Sequence, residues 1–208
     1  MRPSATHLLT LIEQILSLSR IEARRDDVRL ESIDARTIVT DACALVQPIM
    51  AARQLTLDVC LPDEARVIET DVTKVRQILL NLMTNAGKFT ERGSVRCTLR
   101  LESEMVVVEV SDTGRGIGEQ DLPRVFEAFW QGAAIDHARP EGVGLGLSVS
   151  RRLARLLGGD ITVTSVEGQG SSFRLWLPPC APNADQRAAG WRHEGIGSYG
   201  RDTPSSAS

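Results

Sequence analysis

The chain has 208 residues, 42% of them hydrophobic and 25% charged, a balance that lets one globular domain bury a core and excludes a wholly disordered chain. A formal net charge of −3 and a sequence pI near 5.7 exclude the strongly basic surface that nucleic acid or an anionic membrane demands, so any anionic ligand has to be held by local chemistry. No apolar run reaches the ~18 residues of a bilayer span and no signal-peptide core follows Met1; the expected location of this stretch is the cytoplasm, with any membrane anchor lying further upstream.

Residues 7–23 place Leu8, Leu11, Ile15 and Leu18 at 3-4-3 spacing, with Ile12, Leu16 and Ile21 widening the stripe, which predicts a bundle helix that needs a partner. Arg24-Arg25-Asp26-Asp27 interrupts it, and 28–33 alternates like a strand. A helix over 35–53, strands over 55–60 and 66–69, and a helix over 71–88 follow. Next come a hairpin of 94–102 with 105–111, a short helix over 119–126 and an irregular glycine-bearing stretch over 131–143. A helix over 145–157 and strands over 160–165 and 171–177 complete the pattern, which predicts an α+β fold with helices on one face of a mixed sheet. The Gly-, Ser-, Ala- and Arg-rich remainder, residues 180–208, is expected to be a disordered tail. Cys43, Cys60, Cys97 and Cys180 lack CxxC or Cys/His ligand spacing and are expected to be ordinary buried or half-buried thiols.

Four segments carry chemical information. In the helix over 71–88, Gln77, Asn81, Asn85 and Lys88 fall at steps of +4, +4 and +3, a polar stripe beside the apolar Val72, Val75, Leu79, Leu82 and Ala86. Buried amides need partners, and a polar cleft supplies them. Mg²⁺ prefers oxygen ligands and accepts a neutral Asn carbonyl, while Lys88 suits phosphate oxygens; a solvated helix face is the plain alternative. The second segment runs from a strand into Asp112, then a loop with Gly114, Gly116 and Gly118. Turn chemistry explains such glycines equally well, but an ionised Asp at a strand exit accepts a hydrogen bond from an exocyclic amine and so selects adenine over guanine. The third, Gly142-Val143-Gly144-Leu145-Gly146, opens an apolar helix and offers backbone N–H groups to phosphate. It lacks the Lys-Ser/Thr of a P-loop and the spacing of a Rossmann fingerprint. The fourth, Glu167-Gly168-Gln169-Gly170, reads alone as a turn between the last two strands.

Taken in order, these segments resemble the N, G1, G2 and G3 boxes of the histidine-kinase ATPase domain, and Phe126 and Phe129 resemble its F box. The resemblance covers about residues 5–178 and implies a Bergerat-type two-layer α/β sandwich that binds ATP and Mg²⁺ beside a lid over 131–141. It implies catalytic roles for Asn81, Asn85 and Lys88, with Asn85 as the metal ligand, Lys88 on phosphate and Asp112 on adenine. Gly114, Gly116, Gly142, Val143, Gly144, Leu145 and Gly146 match the nucleotide loops. Superfamily members that hydrolyse ATP carry Glu where this chain has Asn81; an amide is no general base near neutral pH, so the resemblance implies phosphoryl transfer and not hydrolysis.

Residues 1–26 resemble the second helix of the dimerisation and histidine-phosphotransfer hairpin, and 27–179 the ATP-binding catalytic domain. The first, histidine-bearing helix has no counterpart. His7 is followed by Leu8-Leu9-Thr10-Leu11 and not by the acidic residue that follows the family's acceptor; His137 and His193 lie off the bundle helix. Val143 stands where Thr is common, and Gly87 interrupts the N-box helix at a cost of about 1 kcal/mol against Ala. The implied partners are a histidine-bearing hairpin, a response-regulator receiver domain and, with the hairpin complete, a second copy of the chain. The alternatives are an ATP-sensing interaction module without transfer, and an anti-sigma-type protein-serine kinase.

Overall fold

The computed structural model describes residues 27–131 and 143–182. In chain order they form β1 (Glu31–Asp34), α1 (Ala35–Ala52), β2 (Thr56–Cys60), β3 (Val67–Thr70), α2 (Val72–Phe89), β4 (Ser94–Glu102) and β5 (Met105–Asp112). A 3-10 turn (Leu122–Arg124), α3 (Gly146–Leu156), β6 (Asp160–Val166) and β7 (Gly170–Leu177) follow.

Both α1 and α2 begin on an aspartate in extended backbone, whose carboxylate satisfies an orphan helix N–H. Asp34 Oδ1 accepts from Arg36 N at 3.0 Å, and Asp71 Oδ1 from Lys74 N at 3.0 Å. The Arg36 side chain, helped by the N–H groups of Arg36 and Arg66, holds the Asp34 carboxyl down at about 2. Because the folded value lies below the ordinary 3.8, this stabilisation is complete above that value and is lost as pH falls through about 2. Asp34→Ala is therefore expected to destabilise the domain by about 1 kcal/mol at neutral pH. Urea unfolding should show the gap between variant and wild type closing as pH is lowered from 4 towards 2.

The main sheet has the order β2-β4-β5-β7-β6. β2 runs parallel to β4, and the remaining neighbours are antiparallel. Alternation aims Val95, Cys97 and Leu99, Val106, Val108 and Val110, and Phe173, Leu175 and Leu177 into one core, which α1, α2 and α3 cover from a single face. Ile38, Ile78, Leu82, Met83 and Leu153 from the helices are fully buried there. On the other face Glu109 joins Arg100 and Arg174, beside a small apolar cluster of Met105, Val107 and Trp176. The α+β, two-layer arrangement expected from the sequence is thus the observed one.

Three local features differ from expectation. The strand expected over 28–33 is shifted to Glu31–Asp34 and pairs with β3 in a separate two-stranded sheet. Ahead of it, Arg29 N donates to Asp71 Oδ2 at 3.0 Å, so that stretch is tied to the start of α2. The helix expected over 119–126 is one 3-10 turn held by i→i+3 bonds from Asp121 to Gly118 and from Arg124 to Asp121, because Pro123 has no N–H to continue a ladder. Cys180, assigned to the tail, bridges Glu69 of β3, and Ala181 is buried. The helix expected over 7–23 and the tail from 183 onward lie outside the described residues.

Gly87 has a packing reason: a β-carbon there would meet Met50 Cε and Sδ of α1 at 2.8 Å. The two helices approach closely where the sequence alone shows only a helix-weakening residue. All four cysteines are free thiols, Cys43 and Cys97 buried, Cys60 and Cys180 exposed. Among the described residues no helix is long and apolar enough to cross a membrane.

Candidate nucleotide site

The polar stripe of α2 becomes progressively more enclosed along the helix. Gln77 is exposed, whereas Asn81, Asn85 and Lys88 are half-buried. Asn81 Nδ2 donates to Ser150 Oγ of α3 at 2.9 Å, and a β-carbon on Gly146 would fall on Asn81 Oδ1. Asn81 is thus wedged where α3 starts, which explains why glycine stands at 146. Asn85, one turn on, has a half-buried amide that makes no side-chain hydrogen bond among the described residues. Lys88 Nζ lies 4.8 Å from the centroid of Phe89, and the Arg115 guanidinium lies 4.8 Å from the same ring. Phe89 therefore holds two cations beside the loop that follows Asp112.

Asp112 closes β5 and is half-buried. Burial pushes its carboxyl above the ordinary carboxylate value, partly offset by the N–H groups of Gly114 and Ser171. Gly114 N donates to its Oδ1 at 2.8 Å. The loop beyond is pinned from both sides. Arg115 N donates to Phe89 O at 3.2 Å, Gly168 N to Arg115 O at 2.7 Å, and Ile117 N to Ser165 Oγ at 2.8 Å. Gly116 sits against the Val166 carbonyl, and Gly170 against the carbonyl of Asp112 itself. The fourth glycine segment therefore supports the acid, a role its sequence alone did not reveal.

At the third segment, Leu145 is buried and stands at the N-cap of α3 without a side-chain cap. The first N–H groups of α3, from Gly146 onward, therefore carry the positive end of the helix dipole without a capping side chain, an arrangement suited to an anion. Val143 and Gly144 are half-buried, and Gly144 O accepts from Phe129 N at 3.0 Å; Gly142 lies outside the described residues. Gly146→Ala is expected to push into Asn81, break its bond to Ser150 and lower ATP affinity at least about tenfold, as read by calorimetry.

An amide stripe, an acid with a pinned glycine loop and an uncapped helix start are thus brought together at one side of the helical layer. The sequence profile of the histidine kinase-, DNA gyrase B- and HSP90-like ATPases matches residues 70–181. The chain belongs to this family. Its family segment therefore begins at the end of β3 and includes every described residue of the site. The chain is 37% identical over 178 residues to the circadian input-output histidine kinase CikA of Synechococcus elongatus, covering 84% of this chain and 24% of that protein. It is 37% identical over 188 residues to the aerobic respiration control sensor protein ArcB of Escherichia coli, covering 88% of this chain and 24% of that protein. Among solved structures, full-length ShkA in complex with AMPPNP superposes with a TM-score of 0.77 at 32% identity, covering 90% of this chain and 39% of that one. The chain spans about a quarter of the length of these two curated relatives.

Sequence reasoning missed Ser150, Phe89 and the Arg151–Asp160 pair. Ser150 and Phe89 act through contacts distant in sequence, whereas Arg151 and Asp160 lie 9 residues apart but on different elements. The available signals were a serine four residues after Gly146 on an apolar helix and an acid opening β6.

Proposed function

We propose that the described domain binds ATP and transfers its γ-phosphoryl group to a histidine on a helix of the same full-length kinase or of a partner chain. A receiver-domain aspartate then takes the group onward, in the manner of a two-component sensor histidine kinase acting in the cytoplasm. The observation that carries this reading is the pairing of two unlike asparagines on α2. Asn81 donates its Nδ2 to Ser150 and has its Oδ1 packed against Gly146, whereas the Asn85 amide makes no side-chain hydrogen bond among the described residues and is open to a ligand. The similarity to ShkA, whose structure is a complex with AMPPNP, supports nucleotide binding.

Asp112 accepts from the adenine amine, Lys88 approaches phosphate oxygens, and the first turn of α3 receives the phosphate chain. The Asn85 amide fits Mg²⁺, being a neutral oxygen donor with no side-chain hydrogen bond among the described residues. Bound there, the ion supplies neutralisation of phosphate charge. Asn81 cannot remove a proton from water near neutral pH, so the chain positions ATP for an incoming imidazole and leaves water unactivated.

The test is calorimetry of the chain with ATP and ADP, followed by incubation with radiolabelled ATP and a separately made histidine-bearing hairpin. Acid-labile phosphohistidine on the hairpin is expected. Absence of ATP binding would end this reading; binding without transfer would favour an ATP-sensing module, and acid-stable phosphoserine on a partner the serine-kinase alternative.

A further inference from the structure

One charged cluster beside the site joins three elements and has no part in the nucleotide contacts above. Asp160, at the start of β6, receives Arg151 Nε at 2.8 Å and Nη2 at 3.2 Å, and Arg155 Nε and Nη2 at 3.3 Å each. Burial opposes its charge, yet these donors and the Ile161 N–H outweigh that and hold the carboxyl below its ordinary value. Asp160 is therefore a fixed anion that fixes the guanidinium of Arg151. One arginine is enough to balance one carboxylate, and Arg155, half-exposed, already provides it. Arg151 does something more: its guanidinium lies 4.5 Å over the ring of Phe126, which meets Phe173 edge-on with centroids 6.4 Å apart.

These contacts close a ring around the first turns of α3. Arg151 grips Phe126; three residues on, Phe129 N donates to Gly144 O, and Gly144 leads directly into Gly146. Asn81 holds the same turns from the α2 side through Ser150. Phe129 itself takes φ of +66°, a conformation that non-glycine residues hold only under constraint from their surroundings.

We propose that Arg151 is a positioning residue for phosphoryl transfer: through Phe126 and the Phe129–Gly144 bond it braces the N–H groups at the start of α3 that receive the phosphate chain. The proposal rests on the nucleotide-binding reading of that helix start.

The test uses the full chain and the variants Arg151→Ala, Arg151→Lys, Phe126→Leu and Arg151→Ala/Phe126→Leu. Hydrogen exchange at residues 149–150, the first amides of α3 with an intrahelical acceptor, is read first, because it needs no activity, and transfer to the hairpin second. Arg151→Ala is expected to exchange about tenfold faster at 149–150 with β5 unchanged, and to lower kcat about tenfold while KM for ATP moves less than about threefold. Arg151→Lys, which keeps a cation over the ring, is expected to recover most of both effects. In the Phe126→Leu background, Arg151→Ala is expected to add little.

Exchange at 149–150 unchanged in Arg151→Ala would overturn the brace, as would a full second loss in the double variant. Should Arg151→Ala fail to fold, Arg151→Lys and Phe126→Leu decide: unaltered exchange at 149–150 in Phe126→Leu overturns the proposal, and faster exchange there with wild-type rates in Arg151→Lys supports it. A wild-type chain that binds no ATP instead removes the nucleotide reading, whatever the exchange results.

Discussion

Asp112→Ala is expected to weaken ATP and ADP binding alike, by at least about a hundredfold. A hydrogen bond to a charged acceptor contributes about 1.5–3 kcal/mol, and leaving the adenine amine unpaired in a desolvated pocket adds roughly another 1–3 kcal/mol. Their sum, about 2.5–6 kcal/mol, runs from close to the ~2.7 kcal/mol that a hundredfold requires to well above it. The loss should be equal for the two nucleotides because the proposed contact lies at the base and not at the phosphates. Asp112→Asn should lose less and narrow the preference for ATP over GTP, since an amide can turn its NH₂ toward the guanine carbonyl. Wild-type affinity should also fall in acid: burial raises this carboxyl, and protonation turns the acceptor toward a donor role. Calorimetry with ATP, ADP and GTP checks all three expectations, and an Asp112→Ala chain with wild-type ATP affinity would remove the acid from the base pocket.

Local pattern was enough to recognise much of this fold. The strand over 105–111 and the helices over 35–53 and 71–88 fall within a few residues of the observed β5, α1 and α2. The segments of the candidate site stood out because each keeps its chemistry within about ten residues: amides at helical spacing, an acid leading a glycine loop, glycines opening a helix. What was not legible depends on partners far away in the chain. Ser150 meets Asn81 across 69 residues, Arg29 meets Asp71 across 42, and Gly87 is explained only by Met50 on another helix. Strand β1 illustrates the same limit. Its alternation was visible, but its separation from the main sheet follows from Arg29 and from the late return of Cys180 along β3. Gly170 was read as a plain turn residue because its contact with the Asp112 carbonyl belongs to tertiary packing.

The two asparagines of α2 make opposite predictions, and the second of them carries the larger effect on chemistry. Asn81→Ala removes the partner of a buried serine hydroxyl, so it is expected to cost about 1–2 kcal/mol of stability while leaving the Mg²⁺ dependence of ATP binding in place. Asn85→Ala removes an amide with no side-chain hydrogen bond among the described residues, so the unfolding free energy should stay within about half a kcal/mol of wild type. Its cost falls on the ligand instead. Affinity for ATP with Mg²⁺ is expected to drop at least about tenfold, affinity for metal-free ADP to change little, and transfer to the histidine-bearing hairpin to fall about a hundredfold or more. Chelating Mg²⁺ from the wild type should bring its transfer down to the level of Asn85→Ala, and chelation should then change the variant little. Thermal unfolding read beside nucleotide titration separates the two cases. An Asn85→Ala chain that lost stability but kept the full response to Mg²⁺ would make Asn85 a structural amide and place the metal ligand elsewhere.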